Sequence, residues 1–160
     1  IRDRYLFFMS QVIVIRHPKE RKSKCSLASL HNHHLITFYN AHKDFRFDAT
    51  GYILLTLNTS PLTSQDSGHS FIILDSTWRL IPHLEDCIEG EPIRRSLPKN
   101  IKTAYPRTSK IFEDPEGGLA SIEALYLAMK IVGEDNPSLL NEYYWKEQFL
   151  SGLRQTKKVD

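Results

Sequence analysis

Four short stretches of the chain are apolar almost without a break: Val12-Ile13-Val14-Ile15, Leu35-Ile36-Thr37-Phe38-Tyr39, Tyr52-Ile53-Leu54-Leu55-Thr56-Leu57 and Phe71-Ile72-Ile73-Leu74. They are too short for helices and rich in β-branched residues. Because they run continuously rather than alternating with polar residues, they read as strands covered on both faces, hence as a parallel sheet. The region around Ile101 is a weaker fifth candidate. A different period begins at Ser121. Ile122, Leu125, Tyr126 and Met129 recur at helical spacing, Ser121 stands where a cap belongs, and Gly133 provides a stop. Asn136 followed by Pro137 predicts the start of a second helix over 138–153. Segments 26–31 and 77–88 predict short helices, the latter disturbed by Pro82. Strands alternating with helices give an α/β class with a mostly parallel sheet flanked by helices. No repeat or linker divides the 160 residues, which read as one domain with residues 1–10 as a candidate N-terminal extension.

The Phe71 run ends abruptly in Asp75, Ser76, Thr77, Trp78 and Arg79. In an open α/β sheet the carboxyl end of a buried strand is where ligands sit. The plainer alternative is that Asp75 caps the next helix. Composition, with 41% hydrophobic and 25% charged residues, is that of a soluble globular domain. Net charge is only +2, yet it is arranged in blocks. Between Ile93 and Phe112 stand Arg94, Arg95, Lys99, Lys102, Arg107 and Lys110 without an acidic residue, and residues 16–24 form a second basic run. Two such runs beside strand ends favour an anionic partner, most simply RNA or DNA phosphates.

Other chemistries are poorly supplied. His31 and His34 could share a helical face, but no nearby cysteine or carboxylate completes a zinc site, so no metal is expected. There is no Gly-x-Ser-x-Gly elbow, no phosphate-cradling glycine loop and no dinucleotide fingerprint. Cys25 and Cys87, far apart, do not form a disulfide framework; reduced thiols suit a cytoplasmic protein. The apolar N-terminal stretch is broken by Ser10, Gln11 and Arg16 and is too short for a membrane span, so no membrane partner is expected.

What remains is a set of strand ends in a particular order, and in that order the chain resembles the DTW-domain family. Asp75-Ser76-Thr77-Trp78 matches its Asp-x-Thr-Trp element, and His17-Pro18-Lys19-Glu20 its early His-Pro-x-Glu. Ala120-Ser121-Ile122-Glu123-Ala124 loosely matches its Ser-Thr-x-Glu-Ala. The chain is also similar to the small-subunit rRNA aminocarboxypropyltransferase family, through Thr59-Ser60-Pro61-Leu62 and through Trp145 and Phe149-Leu150 near the end. The resemblance covers roughly residues 12–150. Cys25-Ser26 stands where Asn-Thr is usual, and Ala120-Ser121 where Ser-Thr is usual.

The resemblance implies a SPOUT-like α/β fold with a C-terminal trefoil knot that binds S-adenosylmethionine. It implies transfer of the cofactor's 3-amino-3-carboxypropyl group to N3 of a uridine in structured RNA, with tRNA expected first, rRNA second and no DNA partner. Three alternatives stay open: an rRNA pseudouridine enzyme, a SPOUT methyltransferase and a non-catalytic RNA-binding module. Asp75 is the candidate base, or the acceptor that orients N3–H, and Trp78 the aromatic wall. Cofactor contacts are expected from Ser26, Thr77, the loop at Ala104 and Tyr105, and the turns at Leu57, Thr59, Ser60, Pro61, Leu119 and Ser121. Arg16, Lys19, Arg21, Lys22, Arg79, Arg94 and Arg95 are the candidate RNA phosphate contacts.

Overall fold

The computed structural model describes residues 9–19, 26–106 and 118–159. Five strands, β1 (Val12–Arg16), β2 (Ile36–Asn40), β4 (Ile53–Leu55), β5 (Phe71–Asp75) and β7 (Ile93–Arg95), form one sheet in the order β2-β1-β5-β4-β7. Every pairing within it is parallel. β3 (Phe47–Asp48) and β6 (Ile88–Glu89) form a separate parallel pair. The α/β class with a mostly parallel sheet is therefore as the sequence predicts. All five residues of β1 and all five of β5 are buried, as continuous apolar strands require.

Side-chain alternation divides the core in two. Val12, Val14, Phe71 and Ile73 face α2 (Ser121–Ile131) and α3 (Lys146–Val159), meeting Ile122, Leu125, Tyr126 and Phe149. Ile13, Ile15, Ile72 and Leu74 face the other way, toward Leu84 of α1 (Ile81–Glu85) and Cys87. Pro82 falls in the first turn of α1, where its missing N–H costs nothing. Gly133 ends α2 with φ of 97°, a left-handed conformation that favours glycine, while Glu134 N–H returns to the Met129 carbonyl.

Three expectations change. Ile101 lies in an irregular segment, and the fifth strand is Ile93–Arg95 instead. After Pro137 the chain makes only a 3-10 turn, Pro137–Leu140, and the second long helix begins at Lys146. Tyr52 and Thr56-Leu57 fall outside β4, and Asn58 turns the chain with φ of 59°. Among the described residues no helix is long and apolar enough to cross a membrane.

Tyr126, 2% exposed, donates from its hydroxyl to Asp135 Oδ1 at 2.9 Å. Burial and that carboxylate push its pKa up to about 12. Below the usual tyrosine value of about 10 both folded and unfolded chains keep the proton. Between about 10 and 12 only the unfolded chain releases it, so stability should fall as pH rises through that window. Urea unfolding of wild type and Tyr126→Phe across alkaline pH measures this; equal pH slopes for the two would show that Tyr126 contributes nothing to it.

Candidate functional site

The sheet's connectivity marks one crevice. After β1 the chain leaves for β2 on one side, and after β5 it leaves for β7 on the other. Between strands whose connections diverge in this way, the carboxyl edge opens into a cleft where α/β proteins bind ligands. β1 and β5 are neighbours in register, with Arg16 opposite Asp75. The polar cluster after Leu74 thus stands at the cleft.

Arg16 and Asp75 are 2% and 4% exposed. Arg16 Nε donates to Asp75 Oδ2 at 3.2 Å, and Ser121 Oγ donates to Oδ1 at 2.7 Å. The guanidinium also lies 4.9 Å from the Phe38 ring centroid, and its Nη1 is 3.2 Å from His31 Nε2. Arginine has no acceptor to offer, so His31 Nε2 accepts. Asp75 does not cap the next helix. The 3-10 turn Trp78–Leu80 has Thr77 in its cap position and no side-chain cap bond.

Sequence made Arg16 a phosphate contact; its burial in this ion pair corrects that. Lys19 and Arg79 are exposed. Arg94 Nη1 pairs with Glu85 at 3.0 Å, and Arg95 Nε with Asp66 at 3.2 Å, so the Arg94-Arg95 stretch is met by acids from elsewhere in the chain. Arg21, Lys22, Glu20, Cys25, Arg107 and Lys110 lie outside the described residues.

The expected cofactor residues fall into two groups. Around the start of α2, Ala120 occupies the cap position but has no hydroxyl; Ser26 Oγ accepts from Ile122 N–H at 3.1 Å in its place. Glu123, fully buried, accepts from Ala120 N–H at 2.9 Å, Thr103 Oγ at 2.5 Å, Ala104 N–H at 2.9 Å and Tyr143 hydroxyl at 3.0 Å. These bonds bring Ser26, Ala104, half-buried Tyr105, buried Leu119 and Ser121 to one helix end. They also commit the Ala104 N–H to the protein itself, and Tyr105 N–H is committed to Thr103 Oγ at 3.0 Å. The cofactor contacts expected from this loop would therefore come from groups other than these two amides.

The second group follows β4. Thr59 carbonyl accepts from Ser96 Oγ at 2.8 Å and Ser60 carbonyl from Ser96 N–H at 2.9 Å. Leu57 and Thr59 are half-buried, while Ser60, Pro61 and Thr77 are exposed. Trp78, half-buried, opens the turn beyond Asp75.

Two residues carry more of the site than sequence suggested. Glu123 stood in the quoted motif without a role, although its spacing from Ala120 is that of a capping box. Ser76 Oγ is buried and has no hydrogen-bond partner among the described residues. A buried orphan hydroxyl beside a cleft has hydrogen-bonding capacity available to a water or a ligand. Among the described residues no group of three or more His, Cys, Asp or Glu is placed to hold a metal. A cavity of about 260 Å³, lined by Tyr126, Lys130 and Arg154 among others, includes none of the candidate site residues.

No family model and no curated protein matches the chain. A solved structure does: that of the SAM-dependent rRNA acp-transferase Tsr3 from Vulcanisaeta distributa. It superposes with a TM-score of 0.71 at 23% identity, over 93% of this chain and 81% of that one. The two share a fold. The parallel sheet, its flanking helices and its open carboxyl edge are thus features of a fold that Tsr3 also uses.

Removing one partner of a buried ion pair leaves an uncompensated charge. Arg16→Ala should therefore cost about 3–5 kcal/mol in urea unfolding. Arg16→Met combined with Asp75→Leu should recover most of it, since an apolar pair of similar size leaves no charge behind. A loss below about 1 kcal/mol for Arg16→Ala would class the pair with exposed ones.

Proposed function

We propose that this chain binds S-adenosylmethionine at the carboxyl edge of β1 and β5 and transfers its 3-amino-3-carboxypropyl group to N3 of a uridine or pseudouridine in structured RNA. The observation that carries the reading is the Arg16–Asp75–Ser121 cluster at the switch point, beside the buried, unpartnered Ser76 hydroxyl. The shared fold with an rRNA enzyme supports it and moves rRNA ahead of tRNA as the first substrate to test. The same reading puts the chain with the DTW-domain proteins in a cytoplasmic setting and gives its C-terminal part the SPOUT trefoil knot. A crystal structure with cofactor would test the knot.

The residues fit the cofactor. Ser76 offers an unmatched hydroxyl, and Ser26 accepts with its oxygen and has a hydrogen to donate. Leu57, Thr59, Ser60, Pro61 and Thr77 line the β4 and β5 ends, while Leu119, Ser121, Ala104 and Tyr105 surround the helix start. When bound, the cofactor supplies carbon activated by a sulfonium, and three such carbons are open to attack. Selecting the larger group is then a matter of aim, which a rigid site provides.

Uridine N3 is a weak acid and must lose its proton as the new bond forms. Asp75 is the acceptor for that N3–H. The Arg16 and Ser121 bonds fix the direction of the carboxylate against which the base would be aligned. Trp78 offers a face against which the base can lie. Lys19 and Arg79 meet phosphates, and Arg94 and Arg95 do so only by exchanging their carboxylate partners.

Incubation of unmodified small-subunit rRNA and tRNA with carboxyl-labelled or methyl-labelled S-adenosylmethionine tests this directly. Label from the carboxyl-labelled cofactor alone is expected. Label from the methyl form alone would make the protein a methyltransferase, and neither label nor cofactor binding would leave an RNA-binding module. Asp75→Asn, confirmed folded by circular dichroism, should lower transfer about 10²-fold or more. Ser76→Ala should weaken cofactor binding about tenfold by calorimetry. Unchanged values would remove those residues from their roles.

A further inference from the structure

Parallel strands are ordinarily covered on both faces, and β2 is not. Ile36 is buried and Phe38 packs toward the α2–α3 side, but Thr37 and Tyr39, on the opposite face, are exposed. Tyr39 is 38% exposed and begins a run of aromatic contacts. Its ring lies 5.8 Å from Phe45 and 5.9 Å from Phe47, Phe47 lies 5.4 Å from Tyr52, and His42 lies 5.8 Å from Phe45. Phe45, Phe47 and Tyr52 are half-buried on the α1-side core, so the rings are firmly seated yet partly open to solvent.

Cations border the rings. Lys43 and Arg46 are exposed, and Arg46 Nη1 donates to the Lys43 and Phe45 carbonyls at 3.1 and 2.7 Å, which holds the guanidinium against the 43–46 turn. Of the nearby acids, Asp44 and Asp48 are both exposed, and Asp48 is engaged by Thr50, accepting from its hydroxyl at 2.7 Å and from its N–H at 3.1 Å. The patch also joins the candidate site. Tyr39 pairs with Ile15 in the sheet, Asn40 with Arg16, and Arg16 with Asp75. Strand spacing therefore puts the end of β2 about 10 Å from the end of β5, along the same carboxyl edge.

We propose that the uncovered side of β2, with Tyr39, Phe45 and Phe47 as its rings and Lys43 and Arg46 as its cations, is a stacking platform for single-stranded nucleotides that flank the target base. The platform rests on the reading of the chain as an RNA-modifying enzyme. Aromatic rings hold unpaired bases without regard to sequence, and bordering cations follow the backbone. A base withdrawn into the cleft at Asp75 has unpaired neighbours, and β2 is the surface they meet.

The test uses a fluorescein-labelled oligouridylate of about 12 nucleotides, followed by fluorescence anisotropy. Tyr39→Ala should weaken its binding about 5- to 50-fold, while Tyr39→Phe, which keeps the ring, should stay close to wild type. Lys43→Ala with Arg46→Ala should make the slope of log affinity against log salt shallower by about 1.4. S-adenosylmethionine binding by calorimetry should be unchanged in all three variants. If wild type binds the RNA and Tyr39→Ala binds it equally well, the platform is overturned and the enzymatic reading is untouched. If wild type binds neither RNA nor cofactor, both fall. If it binds cofactor but not this oligonucleotide, the platform falls, and structured RNA as substrate is decided by the labelling experiment. Concentration-dependent self-association abolished by Tyr39→Ala would give the surface to a second copy of the chain and overturn the platform as well.

Discussion

Arg16 and Asp75 face each other at the ends of the two central strands, each almost wholly out of water. Removing two charges from water is unfavourable, and their mutual attraction offsets it only when the remaining hydrogen-bonding positions are also met. They are met here by parts distant in sequence: Ser121 from α2, His31 from the segment before β2, and the Phe38 face from β2 itself. The pair therefore gathers β1, β2, β5 and α2 at one point of the sheet edge. An apolar pair of similar volume would hold those elements together as well or better. What it would not supply is a fixed carboxylate at the switch point, the feature on which the proposed function rests.

The start of α2 shows the same economy of contacts. A helix N-terminus presents unsatisfied amides and partial positive charge. Glu123 answers both, and its two oxygens reach Ala120, Thr103, Ala104 and Tyr143 together. With Ala120 lacking a hydroxyl, Ser26 completes the cap from a remote part of the chain. The departures from the family pattern at 26 and 120–121 are thus accommodated within one connected network. Ser121, relieved of the capping role that sequence gave it, turns to Asp75.

Strands β1, β2 and β5 were legible because continuous apolar runs have few other destinations. Strand β7 was not, since Ile93-Arg94-Arg95 reads as a solvated basic stretch until Glu85 and Asp66 are brought beside it. Arg16 misled for a related reason. Arginine is rarely buried, and only the parallel register, which sets equal strand ends side by side, reveals its partner. Asn136-Pro137 is a sound helix-start signal, but the chain makes one 3-10 turn there and defers the long helix. In the intervening segment Tyr143 is tied to Glu123, and no local pattern encodes that tertiary bond. Motif order singled out the residues at the ends of β1 and β5 as candidates, while their electrostatics depended on pairings the linear sequence does not contain.

Neutralising Arg94 and Arg95 in space changes the account of recognition. Sequence placed the positive charge in two long runs, as though phosphate attraction alone would dock an RNA. In the folded chain one buried arginine belongs to the cleft and two others already have carboxylate partners. Attraction from these three arginines is thereby reduced, and the described residues that remain near the cleft include Lys19, Arg79, half-buried Trp78 and the open ring cluster on β2. Phosphate contacts position a nucleic acid without reading it, whereas unpaired bases are held by their faces. On the proposed reading, an enzyme that presents a single ring nitrogen to an activated carbon gains more from rigid aromatic surfaces beside a fixed carboxylate than from net charge. The modest +2 of the whole chain is consistent with that division of labour.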